Sequence, residues 1–287
     1  MKALCSSRLV LAVTLCMLAS CGAGTDTSRD VQATRIGKIE NDHIKESSGI
    51  IASRQYPGVY WTLNDHGNSP VIYAMTREGK SLADFRVPGD NRAGDWEDIS
   101  TDDQGHLYIA SIGNNEGKRK QIEVIRIKEP NPTKEKDQKH RSVHAKEMQV
   151  WQLTYPDGIF DAESLYVYQG YGYIISKVRH NMAATMYRFP LTEQSQPGVL
   201  EKVTDLRVFT PVTAASISPD GKYLAVLCWG GVHVFKVNGD IASAARVEPA
   251  DIPLVRLQFE GCSFTADGII VTAESREIFF IPAAAYQ

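Results

Sequence analysis

Ala215-Ser216-Ile217-Ser218-Pro219-Asp220-Gly221-Lys222-Tyr223-Leu224-Ala225-Val226-Leu227-Cys228 is the stretch from which the fold is read. A small residue and a small-then-apolar pair lead into a short strand. Asp220-Gly221 then supplies the positive φ of a tight turn, and an apolar run returns as a second strand. The module recurs along the chain. It starts again at Ser48-Gly49-Ile50, Glu97-Asp98-Ile99, Glu163-Ser164-Leu165 and Glu260-Gly261-Cys262. The matching turns are Tyr56-Pro57-Gly58, Asp103-Gln104-Gly105, Gly170-Tyr171-Gly172 and Ala266-Asp267-Gly268. Second strands are expected at Val59–Leu63, Leu107–Ile112, Tyr173–Lys177, Tyr223–Cys228 and Ile269–Ala273. Third strands follow at Val71–Met75, Ile122–Ile127, Thr185–Phe189, Val232–Val237 and Glu277–Ile281. Several strands in each of five repeats of about 40–50 residues, with almost no helical periodicity, predict an all-β, five-bladed β-propeller.

The two ends of the repeat array belong together. The fifth module reaches Gln287 after three strands, while Thr34–Glu40 precede the first module and belong to none. This N-terminal segment is expected to be the fourth strand of the last blade, closing the ring and leaving no free sheet edge. The longest repeat contains a charged stretch, Lys128 to His144, with Pro130 and Pro132, which reads as a solvent loop before an outer strand. One propeller domain over residues 32–287 accounts for the array.

The 287 residues carry 31 Lys+Arg against 34 Asp+Glu, a net charge of −3, with 43% hydrophobic and 23% charged residues. That balance excludes a disordered chain and a polytopic membrane protein. It also argues against a nucleic-acid binder, which needs a basic face. The N-terminus is different. Lys2 and Arg8 are followed by the apolar run Leu9–Leu18, too short to span a bilayer, so residues 1–20 read as a secretory signal. Leu18-Ala19-Ser20-Cys21 resembles the lipobox of bacterial lipoproteins. The resemblance implies cleavage before Cys21, diacylglycerol on its thiol and, with Gly22 rather than Asp next, anchorage in the outer membrane. Removing Lys2 and Arg8 would take the net charge from −3 to −5. Residues 21–31 then form a lipidated Cys and a small, polar, flexible tether. Of the thiols left, Cys228 and Cys262 lie in apolar runs. A disulfide is open to them in an oxidising compartment, but two buried thiols are the favoured reading.

In a propeller the first strand of each blade lines the central channel. Aligning the module starts gives a ring of Ser48, Glu97, Glu163, Ala215 and Glu260. Three carboxylates facing one another repel unless they are protonated or neutralised by a cation. Hard oxygen ligands suit Ca²⁺, so Ser48, Glu97, Glu163 and Glu260 are its expected ligands. The alternative is that these side chains cap backbone groups at a wet channel mouth.

These starts resemble those of the soluble calcium-activated nucleotidase (apyrase) family. The matching segments are Glu46-Ser47-Ser48, Asp161-Ala162-Glu163-Ser164 and Phe259-Glu260-Gly261. The resemblance implies a five-bladed propeller with channel Ca²⁺ on Ser48, Glu97, Glu163 and Glu260. Ala215 departs where that family has Ser. The segments Asn64-Asp65-His66-Gly67-Asn68-Ser69-Pro70, Asp95-Trp96-Glu97-Asp98-Ile99 and Ile112-Gly113-Asn114-Asn115 also resemble uncharacterised bacterial secreted propellers. Those are related to the SdiA-regulated and phytase-like esterase groups. This second resemblance covers nearly the whole mature chain and implies a fold more than a reaction.

The second strands end on one face, near the channel mouth. The residues expected there are Asn64, Asp65, His66, Asn114, Lys177, Arg179, Trp229 and Glu274, a candidate ligand pocket around one or two cations. Asp65 is a candidate general base or second metal ligand, and Lys177 and Arg179 are candidates to hold an anion such as phosphate. Local stabilisation competes with this, through Asx turns at Asn64-Asp65 and Asn114-Asn115. There is no G-x-S-x-G elbow, the Gly113–Lys118 stretch lacks the spacing of a phosphate loop, and His140 and His144 sit in the charged stretch rather than on a helix. Two readings follow. In the first, a monomeric lipid-anchored propeller binds a small ligand or protein partner, with Ca²⁺ in a structural role. In the second, a Ca²⁺-dependent hydrolase acts on phosphate or other esters, with Asp65 and Lys177 as catalytic candidates.

Overall fold

A computed structural model of the chain describes residues 33–89, 94–133, 141–178, 182–192 and 197–287. The signal segment, Cys21, the tether, Arg179 and His140 lie outside the described residues. The described chain is β-structure with three short 3-10 turns. No helix among the described residues is long and apolar enough to cross a membrane.

The strands follow the repeat. A lone strand, β1 (Thr34–Lys38), comes first. Blade one is β2 (Ser47–Ala52), β3 (Tyr60–Asn64), β4 (Val71–Met75) and β5 (Ser81–Arg86). Blade two is β6 (Trp96–Thr101), β7 (His106–Ser111), β8 (Ile122–Lys128) and, after the two-residue β9 (Arg141–Ser142), β10 (Gln149–Thr154). Blade three is β11 (Ala162–Tyr168), β12 (Tyr171–Ser176), β13 (Thr185–Pro190) and, after β14 (Gly198–Val199), β15 (Glu201–Asp205). Blade four is β16 (Val212–Ile217), β17 (Tyr223–Cys228), β18 (Gly231–Lys236) and β19 (Ala250–Pro253). Blade five is β20 (Phe259–Phe264), β21 (Gly268–Ala273) and β22 (Glu277–Pro282). Within each blade the successive strands pair antiparallel, and the five sheets form a five-bladed β-propeller. The expected strands are found within about two residues of their bounds. β1 pairs antiparallel with β22, from Thr34 opposite Phe280 to Lys38 opposite Glu277, so the N-terminal segment completes blade five as expected.

The charged stretch after β8 differs from expectation, because its ends are built into the fold. Glu129 is buried and accepts a hydrogen bond from Trp61 Nε1 at 2.7 Å. Arg141 and Ser142 return to blade one, where β9 pairs in parallel with Phe85 and Arg86 of β5. Blade three sends a similar strap backwards, β14 pairing in parallel with β10 of blade two. Each strap covers an outer edge that would otherwise expose unpaired backbone groups.

The innermost strands are almost wholly buried, and side chains tie them to one another. Ser100 Oγ accepts the Val167 N–H at 3.1 Å, Ser216 Oγ accepts that of Phe264 at 3.2 Å, and Ser263 Oγ accepts that of Ala52 at 2.9 Å. Asp98, 1% exposed, takes the Ile99 and Leu165 N–H groups at 2.8 Å each and also bonds the Ala215 N–H, joining blades two, three and four. Burial pushes its carboxyl well above the ordinary range, while these N–H donors pull it down. Between neighbouring blades lie apolar layers containing the fully buried Trp61 and Trp151. Cys228 and Cys262 are buried and unbonded, and burial raises the Cys228 thiol to about 12.

Candidate functional site

One backbone irregularity sets the level of the channel mouth. In blades two to five the register between first and second strand slips by one residue, leaving Glu97, Glu163, Thr213 and Glu260 unpaired. Such bulges re-aim a side chain out of the sheet's alternation. In blade one Ser47 pairs with Asn64, the last residue of β3, just as Trp96 pairs with Ser111, so Ser48 stands level with Glu97. Here the slip falls one residue later, at Gly49, whose φ is +65° and where a Cβ would meet Asp98.

The ring is therefore Ser48, Glu97, Glu163, Thr213 and Glu260. Ala215 is not in it, since it pairs with Val226 farther along the strand. The blade that lacked an oxygen in the sequence alignment has one. Thr213 Oγ1 donates to the Phe259 carbonyl at 2.7 Å, as Ser48 Oγ donates to the Glu97 carbonyl at 2.5 Å. Both hydroxyls thus pin their blade to the next.

Three carboxylates from blade one and the entry to blade two come together. Oxygens of Asp65, Asp95 and Glu97 lie within 4.8 Å of one another. Glu97 is 3% exposed, and its Oε1 has no hydrogen-bond partner among the described residues. Gly113 lets it sit there, because a Cβ at that position would fall 1.9 Å from Glu97 Oε1. Burial, then the charges of Asp65, Glu163, Asp95 and Asp161, push the Glu97 carboxyl well above its usual range. Burial also raises Asp65, with Asp95 and Glu46 adding to the effect. Asp95 lies beside His66, whose Nδ1 is 2.8 Å from Asp95 Oδ1.

Glu163 differs from Glu97 in having a cation. Lys177 Nζ is hydrogen-bonded to Glu163 Oε1, while Glu163 Oε2 is buried without a partner among the described residues. Burial still raises Glu163 to about 7, against the pull of Lys177. Glu260 is raised to about 8, by burial and then by Glu163. The site is thus a buried group of oxygen donors carrying more negative charge than its one close lysine offsets. Unpaired buried carboxylates are costly, and a hard cation or protons relieve the cost. Asp65, Asp95 and Glu97 fit Ca²⁺ in ligand type, and oxygens 4.8 Å apart can share an ion at bond lengths of about 2.4 Å.

The remaining sequence candidates divide. Asn64 is spent on its own loop. Its Oδ1 accepts the Lys45 and Glu46 N–H groups at 2.7 and 3.2 Å, and its Nδ2 donates to the His43 carbonyl and the Tyr73 hydroxyl. Asn114 is spent likewise, its Oδ1 on the Arg119 N–H and its Nδ2 on the Arg119 and Phe160 carbonyls. Both side chains thus stabilise the fold, but by bonds to Lys45, Glu46 and Arg119 rather than through the Asx turns expected from sequence. Lys177 is committed to Glu163. Glu274 is raised by burial and by Glu46 and Asp65, which sets it on the rim of the acidic group. Trp229 is 60% exposed on the turn between β17 and β18. Asp95 and Asp161, the latter accepting the Asn114 N–H at 2.7 Å, stand in the sequence only as parts of resemblance segments and were not among the candidates.

Neither a scan of protein-family models nor a search of curated proteins gives a match. Solved structures do match. Virginiamycin B lyase from Staphylococcus aureus is 12% identical, with a TM-score of 0.43, over 86% of this chain and 69% of that one. A nidogen/laminin complex is 10% identical, with a TM-score of 0.47, over 85% and 83%. The WD40 β-propeller domain of Doa1 is 9% identical, with a TM-score of 0.38, over 90% and 71%. At these identities the likeness concerns fold alone.

Proposed function

We propose that the protein is a lipid-anchored propeller whose channel mouth binds Ca²⁺ on Asp65, Asp95 and Glu97 and, through that ion, a small anionic ligand or an acidic group of a partner. The buried Glu97 Oε1, without a hydrogen-bond partner among the described residues and close to two further carboxylates, carries this reading. Of the ligands expected from sequence this keeps Glu97, while Ser48 is engaged with a backbone carbonyl and Glu163 with Lys177. The donor set is oxygen alone, which disfavours Zn²⁺. The anchor rests on Leu18-Ala19-Ser20-Cys21 and the polar tether behind it. The relationships to nucleotidase, SdiA-regulated and phytase-like propellers rest on the short segments named above.

Calorimetric titration of residues 32–287 with CaCl₂, repeated with Glu97→Gln and Asp95→Asn, tests the site. One ion per chain, weakened at least tenfold in each variant, is expected; no heat, or unchanged affinity in both, rejects it. The same samples are then mixed with nucleotides, phosphomonoesters and aryl esters. Calcium-dependent turnover would make the site a hydrolase, whereas binding without turnover keeps it a receptor.

A further inference from the structure

We propose a second ligand site, for a phosphomonoester group, in a pocket on the flank of blade one. The pocket has a volume of about 440 Å³ and includes Lys45, Arg86, Arg141, His43, Tyr73 and Asp84 in its lining. It is separate from the calcium site, since none of Asp65, Asp95 and Glu97 lines it.

Three observations point to an anion. First, Lys45 and Arg141 make no ion pair with any described residue, although both face one concave space. The Arg141 guanidinium lies 5.4 Å from the Phe85 ring centre and gives one weak bond, 3.4 Å, to the Pro132 carbonyl. Among the described residues most of its five N–H donors have no acceptor. Second, Tyr73 is 4% exposed. Its hydroxyl accepts from Asn64 Nδ2 at 3.3 Å and still has its own proton to donate. Third, the lining brings three cationic side chains, Lys45, Arg86 and Arg141, to one carboxylate, Asp84, a composition that suits a phosphomonoester group. Arginine suits such a group because its planar fork matches phosphate oxygens.

The fold supplies these groups by separate routes, and each route is held. Asn64 staples the His43–Glu46 loop over the pocket through two backbone N–H groups and one carbonyl. The strap β9 pairs Arg141 with Phe85 and is fastened by the Val143 N–H to the Arg86 carbonyl at 3.0 Å. The segment that lengthens the second repeat thus delivers an arginine to the first blade. Asp84 is half-buried, raised by burial and bonded to Asn41 Nδ2 at 2.9 Å, and it sits opposite the cations as a competing anion.

That last feature gives the test a sign that a purely structural role would not produce. Inorganic phosphate and phenyl phosphate are titrated calorimetrically into residues 32–287 in EDTA, which removes the calcium site from the measurement. Saturable binding is expected, weakened at least tenfold by Arg141→Ala and by Lys45→Ala, several-fold by Tyr73→Phe, and tightened by Asp84→Asn. Thermal melts confirm that each variant is folded; Lys45→Ala, at an exposed position, carries the result if another variant is not. No saturable binding to wild type, or equal affinity in wild type, Lys45→Ala and Asp84→Asn, overturns the proposal.

Discussion

Asp98 shows what one buried carboxylate does for the ring. It accepts N–H groups of its own blade and of the two blades that follow, so Asp98→Ala leaves buried donors without acceptors. At roughly 1–3 kcal/mol for each stranded donor, the melting temperature should fall by about 5–15 °C. A melt within about 2 °C of wild type would show that these bonds are replaced by water. Glu163 and Glu260 act in the opposite sense. Burial raises them from an ordinary 4.5 to about 7 and about 8. The native state therefore holds these protons more tightly than the unfolded chain. The associated stability is full below about pH 4.5 and is lost as pH rises toward 8. In EDTA, urea midpoints should fall between pH 5 and 8; a rise over that window contradicts the burial. How these residues are placed was only partly legible in the chain. Glu97 and Glu260 stand eight residues before Gly105 and Gly268, and the same count back from Gly221 gives Thr213, so the fourth ring position was present in the sequence. The bulge hid it, because matching small-then-apolar pairs slides the fourth blade by two residues. Asp95 stood in a segment read only as a resemblance, and nothing in the chain paired it with Asp65, which only the approach of blade one to blade two does.

Strands and turns were the legible part, because each blade repeats one local grammar of apolar run and Gly-bearing turn. The straps β9 and β14 were not, being two-residue pairings fixed by tertiary contact rather than by periodicity. The closing strand β1 has a clear energetic role. It covers the β22 edge, and the chain beyond it buries Ile39 to 1% exposure. Deleting residues 32–40 removes this pairing and the Ile39 contact, on the order of 4 kcal/mol including about 2 for the isoleucine. The whole ring should lose about 10 °C of melting temperature and unfold as one unit. A truncated chain that melts with the intact one would place the last blade's outer strand elsewhere.

At the scale of the whole molecule, neighbouring blades bring Asp65, Asp95 and Glu97 together, while the proposed anchor at Cys21 lies outside the described residues. Anchorage predicts that Cys21→Ser shifts the protein from the membrane to the soluble periplasmic fraction; retention of an unprocessed form in the membrane would mean a signal anchor instead. The calcium site itself is tested most directly by thermal melts of wild type and Glu97→Gln, each in CaCl₂ and in EDTA. An ion that binds only the folded ring raises its stability by mass action, about 2.7 kcal/mol at a hundredfold excess over the dissociation constant. Wild type should therefore melt several degrees higher in calcium than in EDTA. Glu97→Gln, freed of a buried unpaired charge, should melt above wild type in EDTA and gain little from calcium. Superimposable wild-type curves in the two media, with Glu97→Gln no more stable than wild type in EDTA, would contradict the account.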